Sequence, residues 1–114
     1  MKNELENRIS IGVRCYLDLE REVLVKNALY CALSRIEFRL LHKLAVNFGK
    51  VVTTKELIDY GWLTGSYVNP HELHVYISRL RKKLQDKTGD QMFVINVHGV
   101  GYMLNQTNNN ILNE

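Results

Sequence analysis

Between Pro70 and Leu84 the chain reads PHELHVYISRLRKKL, its densest run of side chains able to do recognition chemistry. Val75 and Arg79 stand four residues apart, which places them on one side of a helix. An arginine fork there can donate two hydrogen bonds to guanine O6 and N7, and a valine can touch a thymine methyl. Tyr76, Arg81, Lys82 and Lys83 lie close by as candidate phosphate contacts, which orient a helix on a duplex without reading sequence. His71 and His74, at the start of the same helix, are expected to join them on the backbone. A second group lies near the C-terminus, where Asn96 and His98 border the glycine-rich turn His98-Gly99-Val100-Gly101 and can reach a neighbouring groove.

Other chemistry is weakly represented. His71 and His74 are three apart beside Glu72, a spacing that could face one metal ion, but no further ligand stands in register, so no metal or cofactor is expected. There is no serine or cysteine nucleophile with its histidine partner, no glycine-rich phosphate loop and no paired carboxylates, which argues against an enzyme. Cys15 and Cys31 are too few for a disulfide framework and read as reduced thiols.

Charge is distributed to match. The 114 residues carry a net charge of +3, with ten Lys/Arg against eight Asp/Glu in residues 1–69 but five against two in residues 70–87. A local basic stripe on a balanced surface suits the approach to a polyanion. With no long apolar run and no signal peptide at the acidic N-terminus, a cytoplasmic protein without membrane contact is expected.

The elements that must position these residues are marked by capping and periodicity. Short runs at Ile9–Val13, Cys15–Leu19, Glu22–Val25 and Ala28–Cys31 predict an antiparallel meander. Ser34 with Glu37 forms a capping box, followed by Phe38, Leu41, Leu44, Ala45 and Phe48 on one helical face and Gly49 as the stop. Thr53 with Glu56 repeats the device before Leu57, Ile58 and Trp62; Trp62 and Phe38 are expected as core anchors. Asn69-Pro70 opens the third helix, whose stripe of Leu73, Ile77, Leu80 and Leu84 faces inward. Phe93–Val97 and Tyr102–Leu104 then predict a hairpin. The fold class is α+β: a winged helix-turn-helix with an N-terminal antiparallel sheet, three helices and a C-terminal β-hairpin wing.

These motifs resemble the winged-helix effector domain of OmpR/PhoB-type bacterial response regulators. LSRIEFRLLHKLAVNFGKVVTTKEL (Leu33–Leu57), Trp62, LHVYISRLRKKL (Leu73–Leu84) and INVHGVGYMLN (Ile95–Asn105) carry the resemblance, which covers roughly Ile9–Leu104. It implies sequence-specific binding of double-stranded DNA in transcription regulation, with helix 70–84 in the major groove and wing 96–102 at the minor groove. It also implies binding to direct repeats in tandem or as a weak homodimer. The family's base-touching helix residues map onto Val75 and Arg79, its wing-tip arginine onto His98, and a wing threonine onto Asn96. Its loop that contacts RNA polymerase falls on Gly61–Asn69, including Leu63, Thr64, Gly65, Ser66 and Tyr67.

The chain departs from the family pattern at three places. His74 stands where an aspartate is usual, His98 where the wing arginine is usual, and Met103 in place of an arginine. Histidine carries its charge only in part near neutrality, so a weaker or pH-dependent hold on the minor groove is expected. No receiver domain fits before Ile9, so a stand-alone effector not controlled by phosphorylation of its own receiver is expected. Residues 1–8 would be a leader, 9–104 the domain and 105–114 a flexible polar tail. The competing expectation, from the missing wing arginine, is a protein-interaction module that docks on RNA polymerase or another regulator without useful DNA binding.

Overall fold

The computed structural model describes residues 7–63, 67–85 and 92–106. Four strands, β1 (Arg8–Gly12), β2 (Cys15–Asp18), β3 (Val23–Lys26) and β4 (Leu29–Ala32), form an antiparallel sheet in sequential order. The expected meander is present, with boundaries moved by left-handed turn residues. Arg14, Glu22, Asn27 and Ala28 all have positive φ, so Val13, Glu22 and Ala28 fall in turns rather than strands. Two successive positive-φ residues, Asn27 and Ala28, make the tight reversal that keeps Lys26 opposite Leu29. Asp18 closes the preceding turn, its Oδ1 accepting from the amides of Glu20 and Arg21 at 3.0 and 2.8 Å. Burial raises its pKa, but these amides and the Arg21 guanidinium outweigh that and hold the carboxyl below its ordinary range.

Helix α1 (Arg35–Val46) starts at the expected capping box: Glu37 N–H donates to Ser34 Oγ at 3.1 Å, and Ser34 N–H to Glu37 Oε1 at 2.7 Å. Leu40, Leu41 and Leu44 are completely buried, with Phe38 and Ala45 beside them. Phe48 was expected on this face and is instead exposed, because the helix ends at Asn47 and turns before reaching it. Gly49 has φ +77° and donates its N–H to Leu104 O, which ties the helix end to the last strand.

A two-residue strand, β5 (Val52–Thr53), leads into α2 (Thr54–Trp62), and α3 (Pro70–Leu84) follows. The hairpin β6 (Phe93–Val97) and β7 (Gly101–Asn105) joins β5 in a second sheet of order β5-β7-β6. β5 was not expected; two residues are too few to show a period. At the margins, Arg8 belongs to β1 and Asn105 ends β7 opposite Phe93, so the sheets take in one residue from each expected flank. One core joins Leu17 and Leu24 of the first sheet, the three helices, and Val94, Tyr102 and Leu104 of the second. Burying a single leucine contributes roughly 1.5–3 kcal/mol, and Leu80 of α3 is fully enclosed. Cys15 and Cys31 are half-buried and pack against its edge. Among the described residues no helix is long and apolar enough to cross a membrane.

Candidate nucleic-acid interface

α3 begins where the Asn-Pro pair places it. Asn69 Oδ1 accepts from His71 N–H at 2.9 Å, and Pro70 occupies a first-turn position that needs no donor. Leu73, Ile77, Leu80 and Leu84 are buried as the four–three–four spacing requires. The opposite face is open: His71, His74, Arg79 and Lys82 are exposed and Val75 is partly so. Arg81, Lys82 and Lys83 lie in the last turn, where cations are favoured by the helix dipole.

Not all of that charge faces outward. Arg81, expected on phosphate, spends its guanidinium on the second sheet, donating from Nε and Nη2 to Val94 O at 3.0 and 2.7 Å. It also lies 6.0 Å from the Tyr102 ring centroid. Lys83, given the same expectation, turns back across α1, donating to Glu37 Oε1 at 2.6 Å and Ala32 O at 2.9 Å. Burial pushes the Glu37 carboxyl up, but Lys83 and the Ser34 amide outweigh it and hold the carboxyl below its ordinary range. Lys26 of β3 adds a third tie, from its Nζ to Gln85 O at 3.1 Å. The cause is angular. At 100° per residue Arg81 and Lys83 lie about 70–90° from the middle of the apolar stripe, while Lys82 lies about 170° away. Long basic chains at the stripe's edge lay their stems over the core and find carbonyl or carboxylate acceptors.

Tyr76 was also expected on phosphate. Its ring is half-buried, edge-on to Trp62 at 5.5 Å and 89°, and the Arg79 guanidinium lies 4.8 Å from the ring centroid. Trp62, expected as a core anchor, is partly buried against the core, while Phe38 lies within it.

The wing is braced at its base. Gly101 pairs with both Val97 and Thr53, and a Cβ there would stand 2.0 Å from Val52 O, so only glycine allows β5 and β7 to meet. Thr54 N–H donates to Val100 O at 3.1 Å, joining the hairpin to the first turn of α2. Val100 N–H closes the tip on Val97 O at 2.9 Å, with Gly99 at φ +76°. Asn96 and His98 are both exposed. Through Arg81 and Val94 the wing and α3 are therefore held in one register.

The expected polymerase-contact loop divides. Leu63, in the left-handed conformation, and Tyr67 are well exposed, while Val68 is buried. Thr64, Gly65 and Ser66 lie outside the described residues. Gly61 is not part of a loop: it sits buried within α2, where a Cβ would come within 2.9 Å of Leu40, and its carbonyl accepts from Arg39. Its role is close helix packing. The signals missed in the sequence were the helical angles of Arg81 and Lys83 and the reach of Tyr76 toward Trp62.

The family model described as "Transcriptional regulatory protein, C terminal" matches residues 29–104. A putative epidermin response regulator of Staphylococcus epidermidis is 32% identical over 102 residues, covering 90% of this chain and 49% of that protein. The chain spans less than half the length of the curated relatives it matches. Among solved structures, the DNA-binding domain of CpxR from E. coli superposes with a TM-score of 0.75 at 25% identity, covering 89% of this chain and 98% of that one. The AdeR DNA-binding domain in complex with an intercistronic region gives 0.69 at 26%, covering 82% and 95%.

Proposed function

The chain belongs to the family of transcriptional regulatory protein C-terminal domains, the OmpR/PhoB-type winged-helix effectors, and from that premise we propose that its 114 residues bind duplex DNA sequence-specifically. The observation that carries the reading is the open basic face of α3, held in fixed register to an exposed wing tip by the Arg81–Val94 contact. In this reading α3 enters the major groove, with Arg79 on a guanine and Val75 on a thymine methyl. Asn96 and His98 lie at the adjacent minor groove. His71, His74 and Lys82 contact phosphate, while Arg81 and Lys83 act inside the protein. The exposed Leu63 and Tyr67 offer RNA polymerase an apolar foothold beside the bound DNA. No step requires a phosphorylated receiver, and copies bind side by side on direct repeats.

Selection from random duplexes at two salt concentrations, using the purified chain, tests the proposal. A single enriched motif is expected, with affinity falling steeply as salt rises. Arg79→Ala should relax preference at one position, and Lys82→Ala should weaken all sequences alike and lower the salt slope by about 0.9. Recovery of no motif would overturn the sequence-specific reading. Capture of a protein partner at high salt without any shift of duplex would favour an interaction module.

A further inference from the structure

We infer that Tyr76 sets base specificity by positioning Arg79, a role that rests on Arg79 being a base reader. Three side chains from two helices form a continuous row of contacts. Trp62, the last residue of α2, is packed partly against the core. It meets the Tyr76 ring edge-on at 5.5 Å and 89°, and Tyr76 in turn carries the Arg79 guanidinium 4.8 Å from its centroid. Edge-to-face contact is a preferred aromatic geometry and fixes the plane of the tyrosine ring. Tyr76 and Arg79 are three residues apart, so they are surface neighbours, and a helical side chain leans toward the N-terminus, which brings Arg79 back over Tyr76.

The consequence follows from what arginine must do at a base edge. Two parallel hydrogen bonds to one guanine need the fork in one plane, and a free arginine samples many others. A ring held edge-on by Trp62 restricts the guanidinium before any DNA arrives, so less freedom is lost on binding. The benefit is confined to sequences where the fork finds both acceptors. On other sequences the phosphate contacts are unchanged, which makes Tyr76 a determinant of discrimination rather than of overall affinity.

The test compares Arg79→Ala, Tyr76→Leu, Tyr76→Phe and the Arg79→Ala/Tyr76→Leu double variant. Each is measured by titration on the selected site and on that site with the Arg79 base pair exchanged, at two salt concentrations. Tyr76→Leu is expected to lose about two- to fivefold of the discrimination, the range of an exposed cation–π contact, with the salt slope unchanged. Tyr76→Phe keeps the ring and should match wild type; in the Arg79→Ala background Tyr76→Leu should cost no further discrimination. Thermal melting reports folding, and Tyr76→Met, whose flexible chain fills the same gap, replaces the leucine variant if that one unfolds. Loss of affinity for all sequences in Tyr76→Phe would mark a hydroxyl–phosphate contact and overturn the inference. Full discrimination in Tyr76→Leu, with Arg79→Ala impaired, would overturn it while leaving the proposed function intact. An Arg79→Ala variant with wild-type discrimination would instead remove the reading on which it rests.

Discussion

The amino termini of α1 and α2 carry the same device, Ser34 with Glu37 and Thr53 with Glu56, yet the two carboxylates do different work. Each accepts from its cap residue's own amide, at 2.7 and 3.4 Å. Glu56 is exposed and its described polar contacts stay within the cap, to Thr53. Glu37 is almost fully enclosed and receives Lys83 from the far end of α3 at 2.6 Å. One motif thus serves local helix initiation alone in α2, and in α1 also fixes the pose of the helix proposed to enter the groove. The lesson is that a capping carboxylate becomes a tertiary anchor when a neighbouring element brings it a cation and removes water.

That contrast can be broken or sharpened by four measurements. Glu37→Ala, which strands Lys83 and the Ser34 amide, should cost about 3 kcal/mol in urea unfolding; a cost near that of Glu56→Ala would erase the distinction. Lys83→Met should cost roughly 1–3 kcal/mol, since the ammonium is one-third exposed but its partner is not. It should leave the salt slope of DNA binding where it was, unlike Lys82→Ala. Acid is a third route. The folded-state pKa of Glu37 lies below its ordinary value of 4.5. Its contribution is therefore fully present above that value and is lost as pH falls through the folded-state pKa. Glu37→Gln should lack this component, so its stability and that of wild type should converge as pH falls below 4.5 and through the folded-state pKa of Glu37. A constant gap between the two down to the acid transition would contradict the assignment. Glu56→Ala should show the smallest effect, about 0.5 kcal/mol.

Both capping boxes, the Asn69-Pro70 start and the inward stripe of α3 were legible in the sequence because each is a local rule with a short span. The strands were legible in existence, and their ends were not, because Glu22 and Ala28 adopt positive φ that their residue types do not advertise. β5 escaped because only its pairing with Gly101 and Tyr102 of β7 makes it a strand. At the interface, the composition of α3 correctly marked a basic surface but could not say which cations remain available. Arg81 and Lys83 find acceptors on β6 and α1, elements 13 and 46 residues away in sequence. Gly61, which the resemblance assigned to the polymerase-contact loop, proved to be a packing glycine within α2, since its neighbour Leu40 comes from α1.

The junction at Gly101 has a mechanical meaning for the proposed complex. With β7 pressed against β5, and Arg81 clamping β6 to α3, the two parts that would meet DNA behave as the fixed jaws of a caliper. A tool that cannot adjust its gap leaves the adjustment to the object it grips. On a duplex, the steps between the helix and wing contacts would have to narrow or bend to fit, and sequences differ in the cost of doing so. The chain would then discriminate at base pairs that none of its side chains touch.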